Sequence, residues 1–552
     1  MRRIKFQTLE IFFLFAIVVL GTILYLTKLG SIPPGLYVDE AATGYNAYSL
    51  LKTGRDEYGK SFPIAMRLLG SYTPPLHIYL SIPIIAIFGL TIFSTRLLSA
   101  SCGILAIVVV FLIIKDLKII KSKFTPLVAT LLFAVTPWTL FFSRLGYEQN
   151  LAFLMFSLSV LLVQKSLKNP KLLMLTIPII SLSTYSDWGQ RLLAPLLFIG
   201  ALVLFRKKLL TRSNFRFLAI GMLLALLIQI PNLIIANTFS SLNKNEHFYS
   251  NTVLIQAQKI AHFLPLTIAV PLAFIREFLS KLFTYLSPRS LFFLPDPDPQ
   301  VSTPGLSVFY PWMIIPYLLG FYTLWKERKD TSVRFIFFLL LMSPMPAALT
   351  REPFHTQRTL TLLLPLTLII ACGVDRLIKN IRTLVWLPIL TALLFMSLVM
   401  LWRSYFILLP QERADVWGYK FIKLAEFIKT NPNKTFIIDQ SERTKPQDIA
   451  YIQLALYLKL PPEKLQADQD SQIAKDYYNK TDFSFVHKFA NIETKKIDWG
   501  ETVWRDEILV GDTAAVSDPE VKLHNLTQVF EIKDPNNQIL LRGFRTNPKG
   551  SK

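Results

Sequence analysis

The sequence predicts an α-helical polytopic membrane protein of about eleven transmembrane helices, with juxtamembrane helices in its first outer loop and a small extracytoplasmic α/β domain after the last span. Three observations predict it. Of the 552 residues, 52% are hydrophobic and 17% charged, whereas soluble domains average about 45–50% and about 25%. The apolar residues lie in runs long enough to cross a bilayer, and basic residues gather in every second connection. The charge is also divided unevenly along the chain. Its 59 Lys and Arg against 37 Asp and Glu give a net +22, but from Arg403 onward the counts are 22 and 21, and before it 37 and 16. The positive excess belongs to the membrane part, and a nucleic-acid partner is not indicated.

The first apolar run, Ile11 to Leu26, follows Met1-Arg2-Arg3-Ile4-Lys5 without a convincing small-residue cleavage site. It reads as a retained span with a cytoplasmic N-terminus. At about 20 residues per crossing, spans are expected near residues 9–28, 94–114, 125–142, 150–164, 172–187, 192–205, 217–236, 310–325, 332–349, 359–374 and 383–402. The clusters Arg2/Arg3/Lys5, Lys115/Lys118/Lys121/Lys123, Lys165/Lys168/Lys171, Arg206/Lys207/Lys208/Arg212, Lys326/Arg328/Lys329 and Arg376/Lys379/Arg382 then face the cytoplasm. Pro75 to Leu90 is apolar as well, but counting it as a span would turn the Lys115–Lys123 loop outward, so a half-inserted helix is expected there. The expected domains are 1–402 in the membrane and 403–552 outside it. In the latter, Phe421–Thr430 and Asp448–Leu460 read as helices and Lys434–Gln440 as a buried strand.

Only Cys102 and Cys372 are present, both in apolar runs, which excludes a disulfide scaffold or a cysteine zinc site. No HExxH or GxSxG occurs. Carboxylates of the membrane part fall mostly in outward loops, so chemistry is expected on the outer face. Asp39-Glu40 follow the first span at the start of a helical stretch, where they either cap the helix or supply a general base or metal ligand. Arg55-Asp56-Glu57 and Tyr72-Thr73-Pro74-Pro75-Leu76-His77 come next; His77 taken alone reads as a hydrogen-bonded interfacial residue. Arg144, Arg191, Arg351 and Arg358 lie at outward span ends, with His355 nearby. Snorkelling or pairing with Glu148, Asp187 or Glu352 is the plain reading, and phosphate binding the functional one.

The Asp39-Glu40 pair, a Pro-Pro-Leu helix ending in Phe88-Gly89, the Arg96-Leu97 span, the turn from Thr136-Pro137-Trp138 to Ser143-Arg144, and His355 to Arg358 together resemble the polytopic C-type (GT-C) glycosyltransferases. The likeness is greatest to the protein O-mannosyltransferase and aminoarabinose-transferase (ArnT-like) branch and covers about the first 400 residues. It implies a transferase that moves a hexose or pentose from a polyprenyl-phosphate-linked donor to a lipid, glycan or protein acceptor at the outer face of a bacterial or archaeal plasma membrane, with inversion. Asp39 would be the base and Glu40 its orienting neighbour. Arg144, Arg191, His355 and Arg358 would hold the donor phosphate. Asp56, Glu57, Tyr72, Pro75, His77, Glu148 and Asp187 would bind substrate. A divalent metal is left open, and no other cofactor is implied. A flippase for lipid-linked saccharides competes with this reading, but transporters place ionisable groups near the midplane of broken helices, and here the span interiors are nearly free of charge. A lipid-linked glycan ligase or polymerase would keep the same site and change the acceptor.

Overall fold

In the computed structural model, the residues described are 2–242, 251–441, 444–468, 477–478 and 483–548. The chain folds as two compact units, Met1–Thr27 with Ser99–Ser404, and Lys28–Leu98 with Tyr405–Lys552.

Every apolar run of the sequence becomes a helix: Arg2–Leu26, Ile92–Asp116, Thr125–Val135 continued by Pro137–Ser143, Gln149–Ser166, Leu173–Ser183, Gln190–Leu204, Phe215–Leu242, Ile314–Lys326, Thr331–Met342, Leu363–Asn380 and Thr383–Trp402. Among the described residues, six helical stretches are long and apolar enough to cross a membrane: Thr8–Leu26, Ile92–Asp116, Arg212–Ile235, Thr331–Ala348, Leu360–Asn380 and Thr383–Glu412. A seventh is added if Thr125–Val135 and Pro137–Ser143, bent by 57°, form one span. The bend falls at Pro137, whose missing N–H and ring interrupt the helix. Pro170–Ser183 and Gln190–Leu204 are apolar but shorter, so length and composition support six or seven crossings where the sequence pattern suggests eleven. Leu76–Phe88 has 13 residues, too few to cross.

In the first unit, Ile314–Lys326 and Leu363–Asn380 come together backbone to backbone. A Cβ on Gly320 would lie 1.8 Å from the Ile369 carbonyl oxygen, and one on Gly373 1.8 Å from that of Pro316. Only glycine permits this approach, the small-residue contact by which apolar helices pack without help from water. On Thr383–Trp402, by contrast, Leu384 and Phe395 remain 88% and 69% exposed, as a lipid-facing surface requires.

The second unit begins with the helix Val38–Thr53, the antiparallel pair β1 (Met66–Leu68) and β2 (Ser71–Thr73), and the helix Leu76–Phe88. Its C-terminal part is a six-stranded sheet of β3 (Thr435–Asp439), β4 (His487–Phe489), β5 (Ile492–Lys495), β6 (Glu507–Gly511), β7 (Thr527–Lys533) and β8 (Ile539–Arg545), in the order β4-β5-β3-β6-β8-β7. The inner trio β5-β3-β6 is parallel and the outer pairings are antiparallel. Ile437, Leu509 and Phe544 form the core of one sheet face with Ile497, Val503, Val516 and Leu526. The helices Tyr419–Thr430 and Ala450–Tyr457 and the strand β3 match the α/β elements expected from sequence.

The division does not follow the expected boundary at residue 402, because Lys28–Leu98 groups with the tail. Polar contacts explain it. Tyr45 Oη donates to the Leu460 carbonyl at 3.0 Å, Leu36 N donates to Tyr457 Oη at 2.9 Å, Ile64 N donates to Tyr478 Oη at 2.9 Å, and Gln466 Nε2 donates to the Asp56 carbonyl at 2.9 Å.

Candidate active site

The expected site residues fall into both units. Asp39, Glu40, Asp56, Glu57, Tyr72, Pro75 and His77 lie in the second; Arg144, Glu148, Asp187, Arg191, His355 and Arg358 lie in the first.

Asp39 and Glu40 occupy the first turn of Val38–Thr53 after an extended Tyr37, where carboxylates complement the helix dipole. Their environments differ. Glu40 is fully buried and forms a two-pronged ion pair with Arg96, Nε to Oε1 at 2.9 Å and Nη2 to Oε2 at 3.0 Å. Its Oε2 also accepts from Tyr37 N at 3.1 Å. Arg96 donates further to the carbonyls of Leu29, Pro33 and Gly35. Glu40 is thus committed to holding the loop and the helix start together, and its geometry suits positioning more than acceptor or metal binding. Asp39 is half-buried, and among the described residues its carboxylate has neither a hydrogen bond nor an ion pair. Burial, reinforced by the Glu40 charge, raises its pKa to about 6. A base near neutrality with no internal partner is well suited to take a proton from a hydroxyl.

Asp56 and Glu57 are fully buried and their oxygens are used internally. Asp56 Oδ1 accepts from Tyr58 N at 3.0 Å and Lys60 N at 2.8 Å, and Oδ2 from Tyr477 Oη. Glu57 accepts from Asn46 Nδ2 at 3.0 Å and Tyr451 Oη at 3.1 Å. Burial raises Asp56 to about 6 and Glu57 to about 8. The buried guanidinium of Arg67 sits 5.2 Å over the Tyr58 ring and opposes both rises. Tyr72 Oη donates to the Tyr477 carbonyl, Pro75 precedes the helix Leu76–Phe88, and His77 is buried on its first turn. Asp56, Glu57 and Tyr72 therefore fasten the segment 28–98 to the tail, where a substrate-binding role had been expected. Buried carboxylates are tolerated only with such partners.

In the first unit, Arg144 is fully buried, and its Nη1 donates to the carbonyls of Leu24 and Tyr25 at 2.8 and 2.9 Å. It satisfies the orphan carbonyls at the end of Arg2–Leu26, a structural use that the sequence pattern did not suggest. Glu148 precedes the helix Gln149–Ser166 and accepts from Gln149 Nε2 at 3.0 Å. Arg191 stacks over Trp188 at 4.1 Å and donates to Asn232 Oδ1 at 3.1 Å.

Arg358, Asp187 and His355 are brought together. Arg358 pairs with Glu352, with its side chain 38% exposed. Its charge opposes the upward shift that burial imposes on Asp187. Burial, aided by Arg358, lowers His355 to about 4, so its imidazole is neutral at pH 7 and brings no cationic charge to a phosphate. The loop is tied down by Asp296, whose Oδ2 accepts from Thr356 N at 2.8 Å, and by Trp138 Nε1, which donates to the Thr356 carbonyl at 3.2 Å. The Thr136-Pro137-Trp138 motif is thereby explained: Thr136 Oγ1 accepts from Thr139 N at 3.2 Å to cap the short helix, and Trp138 anchors the Arg358 loop.

Sequence reasoning quoted Arg96 only as part of a motif. An arginine inside an apolar run was a signal that it needed a buried partner. Tyr451, Tyr477 and Asp296 carried no such signal, because their partners are distant in the chain. Among the described residues, no three His, Cys, Asp or Glu side chains converge as a metal site.

Helices long and apolar enough to span a bilayer, in a chain that also carries a C-terminal α/β sheet, define a polytopic membrane protein, and its fold is that of the C-type glycosyltransferases. The chain is similar to ArnT from Cupriavidus metallidurans in the apo state, with a TM-score of 0.54 and 11% identity over 97% of this chain and 98% of that one. It is also similar to the same protein bound to undecaprenyl phosphate, with a TM-score of 0.51 and 12% identity over 96% and 97%. Archaeal oligosaccharyltransferase AglB from Archaeoglobus fulgidus, in complex with an inhibitory peptide and a dolichol-phosphate, aligns at a TM-score of 0.46 and 11% identity over 98% of this chain and 74% of that one. No family model and no curated protein sequence matches.

Proposed function

We propose that this protein is an inverting membrane glycosyltransferase that moves a sugar from a polyprenyl-phosphate-linked donor to an acceptor hydroxyl at the extracytoplasmic face, with Asp39 as general base. The observation that carries the proposal is the carboxylate of Asp39, without a partner among the described residues and with its pKa at about 6, on a helix start that the Glu40–Arg96 pair holds in place. The GT-C fold and the undecaprenyl phosphate bound to ArnT support the donor class.

In this reading Asp39 accepts the proton of the acceptor hydroxyl as its oxygen attacks the anomeric carbon. The bond from that carbon to the phosphate oxygen breaks, and the lipid phosphate leaves. One displacement inverts the centre, so no second carboxylate nucleophile is needed. Arg358 is the side chain assigned to the leaving phosphate, because it is part-exposed and a guanidinium grips phosphate with two parallel donors. The N-terminus is assigned to the cytoplasm and the tail to the outside, from the alternation of basic loops.

The test is to supply the protein in lipid nanodiscs with a labelled polyprenyl-phosphate sugar and a membrane extract as acceptor. Transfer releases free polyprenyl phosphate, and Asp39→Asn is expected to cut that release by about 10²- to 10⁴-fold. In vesicles, movement of label across the bilayer with no free polyprenyl phosphate would establish a flippase in its place.

A further inference from the structure

The second unit holds a cavity of about 1030 Å³ that no part of the proposed transfer uses. It lies where Asp439, Lys496 and Gly511 end or follow the parallel strands β3, β5 and β6. After β3 the chain travels to β4 and β5 on one side, then returns past β3 to β6 on the other. In open α/β sheets the crevice outside the carboxyl ends, at such a reversal, is the usual ligand position. Its volume is at the top of the roughly 300–1,000 Å³ range that holds drug-sized ligands, so there is room for more than one sugar ring.

The walls have two chemistries. Phe483 and Phe485, perpendicular at 5.0 Å, and Trp499, stacked on His524 at 5.3 Å, contribute part-exposed aromatic rings. Between them stand the carboxylates Asp439 and Asp512 and the ammonium groups of Lys445 and Lys496. The buried cation Lys420 is already neutralised by Asp415 and Asp448. Among the described lining residues, acceptors and donors are therefore mixed without an excess of positive charge, and none is an arginine. A phosphorylated ligand calls for the opposite arrangement, a cluster of guanidinium or ammonium groups. Sugar rings offer C–H faces to aromatic rings and hydroxyls that both donate and accept. We propose that this cavity is a binding site for an uncharged oligosaccharide.

The proposal concerns binding alone, and its test contains no lipid-linked donor, so it stands or falls separately from the role of Asp39. Full-length protein in nanodiscs, free of glycoside detergents, is titrated with mannotriose, cellotriose and chitotriose by ligand-observed NMR. At least one trisaccharide is expected to bind saturably, with ring C–H protons most strongly saturated. Lys496→Ala, which removes an exposed donor, and Val486→Arg, which fills the mouth at a residue 58% exposed, are each expected to weaken it at least tenfold at unchanged melting temperature. Inorganic phosphate at equal concentration should not compete. Absence of saturable binding by all three sugars, unchanged affinity in both variants, or displacement by phosphate would each overturn the assignment.

Discussion

Asp39 and Glu40 are neighbours in the chain with opposite tasks: one carboxylate has no partner among the described residues, and the other is enclosed by Arg96. A base must be ionised to act, so transfer by the wild-type protein is expected to fall as pH drops through about 6, where an ordinary aspartate would hold activity to about pH 4. A pH–rate profile of kcat/KM checks this, and a limb near 4 would remove Asp39 from the base role. The arginines separate in the same way. Arg358→Lys keeps the charge but loses the planar fork, so donor affinity should drop about tenfold or more with little change in melting temperature. Arg144→Lys should do the reverse, costing about 1.5–3 kcal/mol of stability through the lost carbonyl contacts, while the folded fraction binds donor normally. Donor titrations beside thermal unfolding distinguish the two.

Among elements, the helix Val38–Thr53 depends on two buried polar clusters. Glu40→Gln leaves the Arg96 guanidinium buried without its counter-charge, and a loss of about 3–5 kcal/mol is expected in unfolding experiments. Glu57 presents the other case. Burial raises its folded pKa from the ordinary 4.5 to about 8, so the fold favours the protonated form. Its contribution to stability is complete below pH 4.5 and is lost as pH rises through 8. Melting temperature should therefore decline across that window. Glu57→Gln, which keeps an uncharged group beside Asn46 and Tyr451, should flatten the decline. A variant with the same slope as wild type would place the titrating group elsewhere, with Asp56 the next candidate.

For the whole molecule, the sequence alone suggests that the tail is an accessory, removable after about Ser404 with donor binding intact. Its contacts with Lys28–Leu98 predict otherwise. Truncation there removes Tyr451, Tyr457 and Tyr477, and with them partners of Glu57, Leu36 and Asp56, so the loop that carries Asp39 should lose its order and transfer should cease. Limited proteolysis within residues 28–98 of the truncated protein reads this directly, and continued protection would show that the loop folds unaided. The proposed orientation is tested by reporter fusions after Lys121, Lys208, Lys329 and Thr430, expected inside for the first three and outside for the last.

Hydrophobic run length and charge alternation are local properties, and they sufficed to locate a helix at each of the eleven apolar runs, the half-length helix after Pro75, and the change to an α/β tail, but not the helices Asn251–Ile260 and Leu266–Leu286. The base candidate was legible too, since two adjacent carboxylates directly after a first span stand out in a membrane part with only 16 acidic residues. Tertiary structure alone decided which charged residues are consumed internally. Arg144 reads in sequence as an outward cation and proves to be a helix cap, Glu40 reads as a catalytic partner and proves to be half of a buried ion pair, and Asp56 and Glu57 read as substrate ligands and prove to be bound by tyrosines some 400 positions away. A side chain's type and spacing state what it is able to bind. Whether that capacity is already satisfied depends on groups brought near by folding, and no local pattern in the sequence encodes them.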